Sequence, residues 1–164
     1  MPITIIEADL TNLDHQRDVV TMTNVYAQDV MGNDGPLPGD VLERLISGLQ
    51  ETPTTLILLA YVDGKAAGIA TCFWGFTTFS ARPLINIHDF CVVPELRGSG
   101  VGRALLDAVE QKARDCGCAK VTLEVQENNT RARQIYESAG FAQAVHGEAA
   151  GGAVVSSQMS GGIG

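Results

Sequence analysis

The segment Val92-Val93-Pro94-Glu95-Leu96-Arg97-Gly98-Ser99-Gly100-Val101-Gly102-Arg103 constrains this chain more than any other. An apolar strand runs into a turn with three glycines, and the turn runs directly into an amphipathic helix. Glycine lets a backbone approach a ligand closely, while the first amides of a helix lack partners and carry the positive end of its dipole. The junction is therefore suited to a diphosphate. Its spacing excludes two other phosphate sites. A nucleotide P-loop requires GxxxxGK[ST], and no Gly-Lys-Ser/Thr occurs; a dinucleotide fingerprint requires GxGxxG, whereas Gly98, Gly100 and Gly102 alternate. What remains is R-x-x-G-x-G, formed by Arg97, Gly100 and Gly102.

Hydropathy on either side of the junction predicts alternating strands and helices in one domain over residues 1–164. A short strand covers Ile3–Ala8, and a helix runs from Asp14 to Asp29 with Val19, Met22, Tyr26 and Val30 at helical spacing. After a loop of turn residues, Asp40 is expected to cap a second helix ending near Gln50. Strands Leu56–Val62 and Lys65–Phe76 are joined by Asp63-Gly64, a strong hairpin signal. The fourth strand, Leu84–Val93, stops at Pro94, and the helix that starts in the glycine turn closes near Gly117. Val121, Leu123 and Val125 alternate in a fifth strand, followed by a helix over about Thr130–Ala139. Phe141–Val145 and Ala153–Met159 read as a final antiparallel pair, with a loose tail from about residue 160.

Charge narrows the partners. The net charge is −8, and residues 1–52 carry −7 of it, with nine Asp/Glu against two Lys/Arg. Nucleic acid is not expected as a partner, because binding phosphate needs a basic surface; a cationic acceptor suits the acidic first third better. No apolar run reaches ~18 residues, so no membrane span is expected. The N-terminal residues show no signal-peptide pattern, and the four cysteines include no C-x-x-C, so a reduced, cytoplasmic protein is expected. Cys116-Gly117-Cys118 lacks a convincing ligand cluster, and no metal is expected.

The R-x-x-G-x-G pattern resembles the coenzyme A pyrophosphate loop of the GNAT superfamily of N-acetyltransferases. Downstream, Asn129-x-x-Ala132-x-x-Ile135-Tyr136-x-x-x-Gly140-Phe141 resembles a second signature of the same superfamily, one helix and one strand further on. The resemblance implies an α/β (α+β) acyl-CoA N-acyltransferase fold. Its mixed central sheet has about seven strands, is flanked by four helices, and is splayed between the fourth and fifth strands. It further implies acetyl-CoA as co-substrate. The backbone of Phe90, Cys91 and Val92 would meet the pantetheine arm, and Arg97, Gly98, Ser99, Gly100, Val101, Gly102 and Arg103 would meet the diphosphate. Asn129 would bond the arm, although an asparagine before a helix also reads as an ordinary N-cap.

Tyr136 matches the tyrosine that lies beside the thioester sulfur in many relatives, where it would act as general acid; taken alone, it reads equally as a core tyrosine. Polyamine-type relatives carry Glu-Asp where this chain has His88-Asp89. His88 could serve as the base that deprotonates the acceptor, or could merely pack, and Asp89 reads as structural. In a regular strand the two would point to opposite faces. Oxyanion-stabilising amides are expected on a bulge of the fourth strand near Cys91–Val92. Cys91 is not expected to act as a nucleophile. The acceptor side would be built from Asn24, Tyr26, Asp29, Asp34 and the aromatic run Phe73-Trp74-Gly75-Phe76, with Trp74 foremost, where acid beside aromatics suits a small cationic amine. The alternatives are a protein or peptide N-acetyltransferase and a non-catalytic acyl-CoA-binding module. A homodimer through the C-terminal strands would follow many relatives.

Overall fold

The structure is a computed structural model that describes residues 1–29, 35–126, 129–143 and 152–158, with side chains up to 125 and over 129–142. Its elements follow the expected order: β1 (Ile3–Glu7), α1 (Leu13–Gln28), α2 (Gly39–Glu51), β2 (Thr55–Val62), β3 (Lys65–Thr77), β4 (Arg82–Val92), α3 (Val101–Asp115), β5 (Lys120–Gln126), α4 (Thr130–Ser138), β6 (Ala142–Gln143) and β7 (Gly152–Gln158). The strands form one mixed sheet of seven in the order β1-β2-β3-β4-β5-β7-β6. All pairs are antiparallel except β4 with β5. β6 and β7 pair as expected, whereas residues 144–151 and the tail 159–164 lie outside the described residues.

Alternation along the strands divides the core into two layers. Leu56, Leu58, Ala60 and Val62 of β2 pack with Val101, Leu105, Leu106 and Val109 of α3 and with Tyr136 of α4. Ile57 and Leu59 point the other way, onto Val19 and Met22 of α1 and Ile46 and Leu49 of α2. Each fully buried Leu or Val contributes roughly 1.5–3 kcal/mol of transfer free energy, so both faces of the sheet stay covered. At the β2–β3 turn, Asp63 and Gly64 both have positive φ, 51° and 77°, as the two-residue hairpin requires.

The helix ends follow local chemistry. Asn12 caps α1 by accepting from the amides of Asp14 and His15. Asp40 does not cap α2. Pro38 occupies the cap position without a side-chain bond, and Asp40 lies one residue inside the helix, where it pairs with Arg44 at 3.1 Å. A carboxylate in the first turn still meets the favourable end of the dipole, which is why the sequence signal looked like a cap. α3 and α4 close alike. Cys118 N–H donates to Ala113 C=O and Gly117 N–H to Arg114 C=O; Phe141 N–H donates to Tyr136 C=O and Gly140 N–H to Glu137 C=O. These are Schellman motifs, with glycine in the left-handed conformation and an apolar contact across the turn.

Candidate active site

The parallel β4–β5 ladder holds only from Leu84↔Lys120 to Ile87↔Leu123. β4 continues to Val92 and β5 to Gln126, so beyond Ile87 and Leu123 the two strands part. Asn86 donates to Thr122 Oγ1 at 3.0 Å just before they do, a side-chain tie at the closed end. The open edge of β4 includes the backbone of Phe90, Cys91 and Val92, whose polar groups on that side lack a β5 partner.

At the far end of this gap the chain turns through a 3-10 turn, Pro94–Leu96, into the glycine segment. Gly98 and Gly100 have φ of +82° and +96°, and an added Cβ at either would meet nothing within 4 Å. The backbone is thus exposed in a conformation that only glycine adopts easily. Gly100 caps α3 without a side-chain bond. The amides of Gly98, Gly100, Val101, Gly102 and Arg103 have no acceptor among the described residues. Ser99 does not join them, because both its amide and its hydroxyl donate to Leu96 C=O. Gly102 serves packing: a Cβ there would lie 3.5 Å from Ile135, 3.6 Å from Val92 and 3.7 Å from Phe90.

Two arginines of the segment are engaged within the chain. Arg97 Nη2 donates a short hydrogen bond to Asp29 Oδ2. Arg103 pairs with Asp107 at 2.9 Å and donates to Ser138 C=O at 2.7 Å, tying α3 to the end of α4. Asn129 caps α4 through Oδ1, which accepts from Ala132 N–H at 3.2 Å. Its side-chain amide donates to nothing among the described residues, so capping does not exhaust its bonding capacity.

Tyr136 is 5% exposed, on the α3–α4 side of the gap. Phe90 meets its ring edge-on at 5.7 Å, and Phe141 packs at 6.0 Å. Its hydroxyl makes no hydrogen bond among the described residues, and burial, aided by Tyr26, pushes the phenol well above its ordinary range. Tyr136 is therefore held as a protonated donor.

The bulge of β4 lies at His88, not near Cys91–Val92. Thr71 pairs with Asp89 and Cys72 with Ile87, leaving His88 as the extra residue. An extra residue shifts the alternation: Ile85 and Ile87 face the α3 layer before it, Phe90 and Val92 after it. It also brings His88 and Asp89 together, with Nε2 and Oδ1 3.9 Å apart, which a regular strand would forbid. His88 lies edge-on to Phe73 at 5.6 Å and is largely exposed, whereas Asp89 is half-buried. Burial raises the Asp89 pKa, against the opposing effect of His88. Asp89 and Asp29 in turn help raise the phenol of half-buried Tyr26, after burial. Burial pushes the Cys91 thiol up to about 11, which disfavours a thiolate nucleophile.

Not every expected acceptor residue joins this group. Tyr26 and Asp29 do. Asn24 accepts from Leu37 N–H at 2.9 Å and thereby pins the chain after α1. Trp74 packs with the α3-side cluster, on the opposite face from Tyr26; Phe73, one residue earlier, packs against His88 instead. Asp34 lies outside the described residues. Asp89, read from the sequence as structural, lies in this group as well. The displaced apolar phase around Ile87-His88-Asp89-Phe90 was the available signal. Among the described residues no group of three or more His, Cys, Asp or Glu could hold a metal, and no helix is long and apolar enough to cross a membrane.

Comparison with known proteins agrees with this geometry. The profile of the acetyltransferase (GNAT) family matches residues 21–141. An aminoglycoside N(6')-acetyltransferase type 1 of Stenotrophomonas maltophilia is 29% identical over 109 residues, 65% of this chain and 71% of that protein. A thialysine N-epsilon-acetyltransferase of Bos taurus is 31% identical over 101 residues, 57% of this chain and 59% of that protein. A GNAT-family acetyltransferase from Streptococcus pneumoniae superposes with a TM-score of 0.73 at 19% identity, covering 97% of this chain and 100% of that one. The chain belongs to the acetyltransferase (GNAT) family.

Proposed function

We propose that this protein transfers an acetyl group from acetyl-CoA to the primary amine of a small cationic metabolite, polyamine-like or an amino-acid derivative. The observation that carries the proposal is the parting of β4 from β5 after Ile87 and Leu123, which opens toward a cradle of unsatisfied amides. These features fit the donor. The amides of Gly98 and of Gly100–Arg103 would hold the diphosphate, and the open edge of β4 with the side-chain amide of Asn129 would hold the arm.

The bound thioester supplies the acyl group and a thiolate leaving group. Tyr136 would give its phenolic proton to the departing sulfur. His88 would take a proton from the acceptor ammonium, with Asp89 beside it to stabilise the imidazolium. Backbone amides at the His88 bulge stand nearest the closed end of the gap and would stabilise negative charge on the acyl oxygen. Tyr26, Asp29, Asp89 and Phe73 offer charge and aromatic surface to an ammonium. Relatives named for aminoglycoside and thialysine support an amine acceptor.

Calorimetry with CoA and acetyl-CoA tests the donor; absence of heat with both refutes the proposal. A panel of spermidine, lysine, an aminoglycoside and a lysine-containing peptide, followed by release of free thiol, tests the acceptor. Turnover of the peptide alone would favour a protein acetyltransferase. Binding without any turnover would favour a non-catalytic acyl-CoA-binding module.

A further inference from the structure

The last rung of the parallel ladder, Ile87↔Leu123, is closed on both faces of the sheet. On the α3 side, Ile87 and Leu123 are 3% and 0% exposed and pack in the same cluster as Tyr136. On the other side, one rung back, Asn86 and Thr122 stand opposite each other, and a hydrogen bond of 3.0 Å joins their half-buried side chains. Between the two layers the backbone groups are spent on the ladder itself. The gap therefore ends in a packed wall directly below the His88 bulge.

A donor lying in the gap meets this wall with its acyl end. The start of α3 is level with the end of β4, since a Cβ on Gly102 would lie 3.6 Å from Val92. From Val92 back to Ile87, β4 covers roughly 16 Å at ~3.3 Å per residue. The arm of CoA from diphosphate to sulfur is about 13 bonds long, roughly 15 Å when extended. With the diphosphate on the amide cradle, the sulfur falls beside the His88 bulge, and the acyl carbons beyond it point at the Ile87–Leu123 rung. We propose that Ile87 and Leu123, backed by the Asn86–Thr122 hydrogen bond, form an acyl stop that admits an acetyl group and excludes longer chains. The inference rests on the proposed use of an acyl-CoA donor and adds the residues that set acyl length. Each carbon beyond acetyl has to displace packed side chains or open that hydrogen bond. A close-fitting pocket discriminates a single methylene by about 10- to 200-fold.

Calorimetry with CoA, acetyl-CoA, propionyl-CoA and butyryl-CoA reads the stop without any acceptor. In the wild-type protein the Kd is expected to rise on the order of tenfold from acetyl-CoA to propionyl-CoA, and further for butyryl-CoA. Leu123→Ala removes bulk from the stop, and its ratio of butyryl-CoA to acetyl-CoA Kd is expected to fall on the order of tenfold. Ile87→Val removes a single methyl group and is expected to lower the propionyl-CoA to acetyl-CoA ratio by a smaller factor. The Kd for CoA, which carries no acyl group, separates a change at the stop from a general loss of binding. Comparable Kd values for acetyl-CoA and butyryl-CoA in the wild-type protein overturn the inference while leaving the donor assignment intact. Ratios that stay at the wild-type value in both variants do the same. No heat from the wild-type protein with any of these ligands overturns both readings. Thermal melts monitor folding, and should Leu123→Ala fail to fold, the wild-type series and Ile87→Val decide.

Discussion

Tyr136 joins a structural demand to the chemistry proposed for it. Its ring fills the space between Phe90 and Phe141, while its hydroxyl makes no bond among the described residues. Tyr136→Phe keeps the ring contacts and removes only the proton donor. The kcat is expected to fall by ~10²-fold with the Kd for CoA nearly unchanged, read by steady-state kinetics and calorimetry; unaltered turnover removes Tyr136 from the chemistry. Asp89 presents the reverse case, a charge at odds with its surroundings. Burial raises its pKa, so the folded state binds a proton more tightly than the unfolded chain does. Stability attributable to this group therefore decreases as pH rises from the unfolded pKa through the folded one. Asp89→Asn is expected to raise the Tm at pH 7.5, and the gain should be smaller at pH 4, closer to the range in which the folded carboxyl takes up its proton. Melting curves at the two pH values check this, and a lowered Tm at pH 7.5 contradicts it.

Among elements, the end of α4 explains the spacing of its signature. Tyr136 is the residue whose carbonyl accepts from Phe141, Gly140 supplies φ of +92° between them, and the two rings pack across the turn. The pattern Y-x-x-x-G-F is therefore a Schellman closure that fixes the orientation of the phenol. Gly102, by contrast, lies in the first turn of α3 without positive φ, and its nearest would-be Cβ contact is an ordinary 3.5 Å. Gly140→Ala is expected to destabilise the fold by roughly 1–2 kcal/mol, whereas Gly102→Ala should be neutral or slightly stabilising, by up to about 1 kcal/mol. Urea unfolding of both variants checks the contrast; equal losses would mean that backbone conformation does not decide these sites. Strand β4 was only partly legible. Its ends and its apolar character follow from Pro94 and from Ile85 and Ile87. The bulge was written in the sequence as the phase change from Ile85 and Ile87 to Phe90 and Val92, a signal easily lost within one short run.

For the whole molecule, electrostatics and topology set what can reach the site. Residues 1–52 hold most of the net charge of −8, and Asp29, at the end of α1, lies on the face proposed to take the acceptor. Raising the salt concentration from about 50 to 500 mM shrinks the Debye length several-fold. The kcat/KM for a cationic acceptor is expected to fall with it, while kcat at saturation stays nearly constant. Salt-independent kinetics would remove the acidic face from acceptor capture.

By itself the sequence determined the order of strands and helices, the glycine cradle, the hairpin turn and the closure of α4. Each of these follows from contacts a few residues apart, where φ preferences, capping and apolar periodicity are written directly. Only the tertiary structure decided which groups meet: Asp29 with Arg97, His88 beside Asp89, Phe73 rather than Trp74 against His88, and the point where β4 leaves β5. Those outcomes depend on strand register and on packing between distant segments, and a single extra residue in a ladder reverses every side chain beyond it.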